Sequence, residues 1–146
     1  MLKDMRFCIL IVLTLAATIL FGQTIQKCDA TILRSTSEKV GRLTQKEITD
    51  FLLTFGEECQ NNAEYSQWSN ELLFSLLDKQ TDLAVKTIEK EEKRIEMGKV
   101  FNDLSSPIND LINVKNIISK IEKVEVNKEL KDKLIERLKT ADGKTD

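Results

Sequence analysis

Residues 43–59 constrain this chain more tightly than any other stretch. In Leu43-Thr44-Gln45-Lys46-Glu47-Ile48, Thr44 and Glu47 have the spacing of a capping box, and Leu43 and Ile48 that of a hydrophobic staple. Together they start a helix at a defined residue. Ile48, Phe51, Leu52, Phe55 and Cys59 then recur at i, i+3, i+4, i+7 and i+11, one apolar stripe with helical period. A strand, which alternates every two residues, cannot bury that set on one side. The spacing predicts a helix from 44 to about 60.

The same period runs through the rest of the chain. Ile25, Cys28 and Ile32 predict a short helix over 24–37, ended by Gly41. Tyr65, Trp68, Leu72 and Leu76 predict another over 63–79, widened by Leu73 and Leu77. The short Asn61-Asn62 connection folds it back antiparallel on its predecessor. Thr81 or Asp82 caps the next helix, whose charged residues 89–94 read as a solvated face. Ile95, Val100, Phe101 and Leu104 resume the stripe, with a bend expected at Gly98.

Ser105-Ser106-Pro107 combines a serine N-cap with proline, a preferred helix start. It predicts a broadly buried helix carrying Ile108, Leu111, Ile112, Val114, Ile117, Ile118 and Ile121. Asn127 caps a last helix with Leu130, Leu134 and Leu138 four residues apart. One proline and five glycines leave few turn signals for a sheet. The expected fold is all-α, about six amphipathic helices in antiparallel hairpins, closed as a small bundle or stacked as a short superhelix. It spans 23–142 as one domain, with 143–146 a frayed polar tail.

Ahead of this domain lies FCILIVLTLAATILF, residues 7–21, an uncharged apolar run preceded by Lys3 and Arg6 and followed by Gly22. That is the organisation of a secretory signal peptide. It is short of the roughly 20 apolar residues a transmembrane helix uses. Cleavage is expected between Gly22 and Gln23, giving a secreted or periplasmic protein. A retained leader would instead tether the domain to the membrane.

Export changes how the cysteines read. Cys8 leaves with the leader, while Cys28 and Cys59 form an even pair in an oxidising space, which points to one disulfide. Two buried free thiols are the alternative. A closed zinc site takes four Cys or His ligands, and the chain has no histidine. Cys28 follows Ile25-Gln26-Lys27, which lacks the small residues of a lipoprotein cleavage site.

The chain carries no recognisable reaction chemistry. Without histidine there is no Ser-His-Asp or Cys-His arrangement, and no Gly-rich phosphate loop or calcium-loop spacing occurs. Glu57-Glu58 and Glu91-Glu92 are adjacent pairs, and helix neighbours do not face each other. They read as solvated surface. No metal or cofactor is expected, and a net charge of −2 makes no electrostatic case for nucleic acid. Asn70 lies among apolar residues of its helix. If it points inward it must be hydrogen-bonded, and could then hold a loop or helix end in place.

The function expected is non-enzymatic contact with another protein or with an envelope structure, with membrane contact only through an uncleaved leader. A carrier with an apolar cavity between helices is the first rival. A hydrolase built on carboxylates alone is the second.

Overall fold

The computed structural model describes residues 25–143, and the leader and the last three residues lie outside them. The described residues are all-helical, seven α-helices packed against each other as a small bundle. These are α1 (Ala30–Lys39), α2 (Gln45–Leu53), α3 (Ala63–Lys79), α4 (Thr81–Glu91), α5 (Met97–Leu104), α6 (Val114–Ile121) and α7 (Lys128–Asp142). A 3-10 turn, Glu57–Asn61, precedes α3. No described helix is long and apolar enough to cross a membrane.

Helix α3 is the spine. It packs against α1, α4, α5, α6 and the 3-10 turn. Its buried residues, Tyr65, Ser69, Asn70, Leu72, Leu73, Phe74, Leu76 and Leu77, cover most of its circumference. Such a helix must be sheathed on several sides. Phe51 and Phe55 meet edge to face, with centroids 5.1 Å apart. Leu130, Leu134 and Leu138 close the far side of the core.

The capping box is present with both reciprocal bonds, and Leu43 and Ile48 are both buried. The Lys39 ammonium, together with the Thr44 backbone and hydroxyl, holds the Glu47 carboxyl down at about 2. Asn62, Asn113 and Asn127 cap α3, α6 and α7 by accepting backbone N–H bonds. Gly41 sits at φ 100°, the left-handed conformation glycine adopts without steric cost.

The local expectations give way in four regions of the chain. The first helix begins at Ala30, capped by Asp29, and not at residue 24. Cys28 lies before it at φ 59°, a left-handed position held by its N–H bond to Thr54 O, 2.9 Å. The second helix stops at Leu53, because the Thr54 hydroxyl donates to Phe51 O and the chain turns out. Cys59 therefore belongs to the 3-10 turn.

The long charged helix breaks into α4 and α5 at 92–96, not at Gly98, where buried Ile95 donates to Glu91 O. This break makes the helices seven where six were expected. Glu91 is buried against Arg94 at 2.6 Å and so departs from the solvated face expected of 89–94. Neither Thr81 nor Asp82 caps α4. Gln80 occupies that position, and the Thr81 hydroxyl bonds back to Leu77 O.

The fourth correction is the largest. Ser105-Ser106-Pro107 starts no helix, and residues 105–113 are an irregular loop ending at the Asn113 cap. Val114, Ile117 and Ile121 are buried as expected, but Ile108 is 50% exposed and Leu111 91% exposed.

The sulfurs of Cys28 and Cys59 stand at disulfide distance, with Cα atoms 5.5 Å apart. Closing a loop of this separation, 31 residues, stabilises by roughly 3–4 kcal/mol in the chain-entropy account. Cys28→Ser should therefore lower unfolding free energy by about 2–4 kcal/mol in urea, and denatured, unreduced exported protein should show no free thiol. Two titratable thiols would refute the bond.

A second prediction concerns acid. The Glu47 carboxyl is held below its ordinary 4.5, so its charged form stabilises the fold. That contribution is full above about pH 4.5 and is lost as pH falls through about 2. The melting-temperature gap between wild type and Glu47→Gln should be widest near neutrality and close across that window. A gap independent of pH would count against it.

Candidate functional site

The loop 105–113 has the one pronounced apolar exposure among the described residues, and its geometry is set by Asn70. This amide is buried, 2% exposed, on α3. Its Nδ2 donates to Asp103 O at 3.1 Å and to Ser106 O at 3.2 Å. Its Oδ1 accepts from Ile108 N–H at 3.2 Å. One side chain thus does for this backbone what a helix ladder would otherwise do. Three backbone groups of 103–108 are satisfied this way without coiling, in the stretch where a Ser-Pro helix start was expected.

Two more asparagines finish the loop. Asn109 Oδ1 accepts from Leu111 N–H at 2.9 Å, a local turn that competes with helix. Asn113 then caps α6 through Asn116 N–H. Leu111 is left projecting between these two devices.

Beside Leu111 a cleft of about 230 Å³ runs between the C-terminal half of α3 and α6. Phe74, Ile112 and Ile117 supply its apolar lining, and Asp78, Lys79 and Asn116 line its polar side. Asp78 is engaged within the chain, accepting from Lys120 Nζ at 2.6 Å and from Asn116 Nδ2 at 2.9 Å.

Two other surface depressions are more open and larger. An open groove of about 560 Å³ follows α7 past Asp132, Ile135, Glu136 and Lys139. Another of about 350 Å³ lies between α2 and the α4 end, among Lys46, Asp50, Lys90, Glu91 and Arg94. Each has charged side chains in its lining, unlike the enclosed Leu/Ile/Phe cavity a carrier would need.

The acidic pairs do not come together. Glu57 and Glu58 sit exposed in the 3-10 turn, while Glu91 turns inward and Glu92 outward at the end of α4. Among the described residues no cluster of His, Cys, Asp and Glu has the makings of a metal site. Cys28 and Cys59 lie at the opposite end of α3 from its C-terminal half, near Thr54. There the Tyr65 hydroxyl donates to the Thr54 side chain, and burial pushes the phenol up to about 12.

Sequence reasoning missed one buried pair. Lys99 and Asp103 lie one turn apart on α5, 6% and 8% exposed, with the ammonium bonded to Asp103 Oδ1. Asp103 Oδ2 has no hydrogen-bond partner. Burial raises the Asp103 carboxyl above its ordinary value, and the Lys99 bond and charge oppose this. The available signal was the four-residue spacing of opposite charges beside Val100 and Leu104.

Comparison with known proteins found no matching protein family, no matching characterised protein and no matching solved structure.

The Asn70 bonds make a direct prediction. Asn70→Ala removes one buried and two part-buried bonds to the backbone of 103–108, with about 1–3 kcal/mol expected for the buried loss. Unfolding free energy should drop by roughly that amount, and amide hydrogen exchange at Ile108 should accelerate selectively. Unchanged exchange at Ile108 would show that Asn70 does not hold the loop.

Proposed function

We propose that this chain is an exported, non-enzymatic helical module that acts by contact with another macromolecule through the 105–113 loop. The observation that carries the reading is the exposure of Leu111, 91%, on a loop fixed from beneath by Asn70. A single exposed leucine is ordinary on a protein surface. Here the backbone is held by the Asn70 bonds in a conformation that keeps Leu111 and Ile108 in water together, beside a cleft lined by both apolar and polar side chains. Pre-ordered apolar presentation of this kind reduces the entropy lost on binding.

Support for export comes from the apolar run at 7–21 and from the two later cysteines at bonding distance. Both observations favour an oxidising, extracytoplasmic setting.

The test is a photo-crosslinking residue at position 111 of the full chain, produced in its own cell. A crosslinked product is expected from position 111 and not from an exposed α7 position such as 136. Leu111→Asp should abolish the partner's retention while changing stability by no more than about 0.5 kcal/mol, as for an exposed site. Retention that survives Leu111→Asp would sink the reading.

A further inference from the structure

The contact surface has an unusual internal relation: Leu111 lines the same cleft beside which it projects. A knob and a hole on one patch permit an isologous pair, because a two-fold axis brings each knob to the other copy's hole in one operation. The cleft, about 230 Å³ and open to solvent, has the volume to take a side chain of leucine size.

The charges repeat the pattern. Asp110 adjoins the knob and Lys79 lines the hole. Among the described residues neither has an ion-pair partner, although ten other pairs form. Asp78, the acid next to Lys79, is already taken by Lys120. Lys79 is thus an exposed cation lining the cleft and Asp110 an exposed anion next to the knob in sequence, and neither is in a salt bridge among the described residues.

We infer that the partner of this surface is a second copy of the chain. Leu111 of each copy seats in the α3–α6 cleft of the other, and Asp110 of each faces Lys79 of the other. The inference rests on the contact reading above and names its partner. Stable interfaces bury about 800 Å² per partner, more than two exposed side chains and a cleft mouth provide. The pair is therefore weak and reversible, with Kd on the order of 10⁻⁴ M. Ile108 adds apolar area at the edge, and paired charges in the rim set orientation more than strength.

Sedimentation velocity on the protein expressed from the full chain, in the form its cell produces, tests this between about 10 µM and 1 mM. A reversible monomer–dimer equilibrium is expected, and Leu111→Asp should abolish it. Asp110→Lys should weaken it about tenfold, and adding Lys79→Asp should restore most of that loss. Thermal melts of the variants check that the fold is intact, as all three positions are exposed. A monomer throughout the range overturns the inference, as does a dimer indifferent to Leu111→Asp or a double reversal no better than the single one. If the chain is monomeric yet crosslinks from position 111 to something of different mass, self-pairing falls and the contact reading stands. If neither dimer nor crosslink forms, both fall.

Discussion

Three irregular segments of this molecule, the turn before α2, the turn after it and the 103–108 stretch, are held by side chains of α3 or its C-cap. Tyr65 reaches the turn after α2, donating to Thr54. Asn70 takes the backbone of 103–108. Asp78 accepts from Lys120 and Asn116 of α6. Gln80 closes the α1–α2 turn, its Oε1 accepting from Leu43 N–H at 2.8 Å and its Nε2 donating to Leu43 O at 2.9 Å. Buried loop backbone must find partners somewhere, and here one helix and its C-cap supply them at three levels, Tyr65, Asn70 and Gln80. The remaining helices can then be short, two of them only eight residues.

The two ends of α3 are treated differently. Around its start, covalent and polar ties accumulate: Cys28 near Cys59, Cys28 N–H on Thr54 O, and Lys27 paired with Glu96 at 3.1 Å. Glu96 also accepts from Glu57 N–H, so the segment before α1, the 3-10 turn and the start of α5 are joined. An N-terminal helix of ten residues is marginal alone, and these ties fix its entry. Toward its other end, α3 borders the open cleft and the Leu111 loop. The rigid end secures the fold, and the other end presents the surface.

The Lys99–Asp103 pair bears on the loop through its position. Asp103 carries the ion pair on its side chain and receives the Asn70 amide on its carbonyl. Buried ion pairs contribute little net stability once desolvation is charged against them, whereas losing one partner leaves an uncompensated charge. The pair thus ties the α5 exit to one arrangement, and the loop leaves α5 in a defined direction.

How much of this was legible in the sequence depended on the range of the interaction involved. The capping box at Thr44 and Glu47, the Asn127 cap, the α3 stripe and the triplet Leu130, Leu134, Leu138 all act within about two turns. Neighbouring residues determine them, so the all-helical fold follows from the sequence. The turn after α2, the break between α4 and α5 and the uncoiled 105–113 loop each meet partners 26 to 39 positions away: Cys28 with Thr54, Glu57 with Glu96, Asn70 with Ile108. Apolar period favoured a helix through Leu111, and local chemistry at Ser-Pro agreed. A distant amide satisfied the same backbone groups without coiling, which left Leu111 in water. Sequence alone determined which segments coil and which faces seek a core, because these are short-range properties. Tertiary structure decided where the coils stop and which apolar residues stay outside, because a backbone hydrogen bond can be satisfied by any partner that the fold brings within reach.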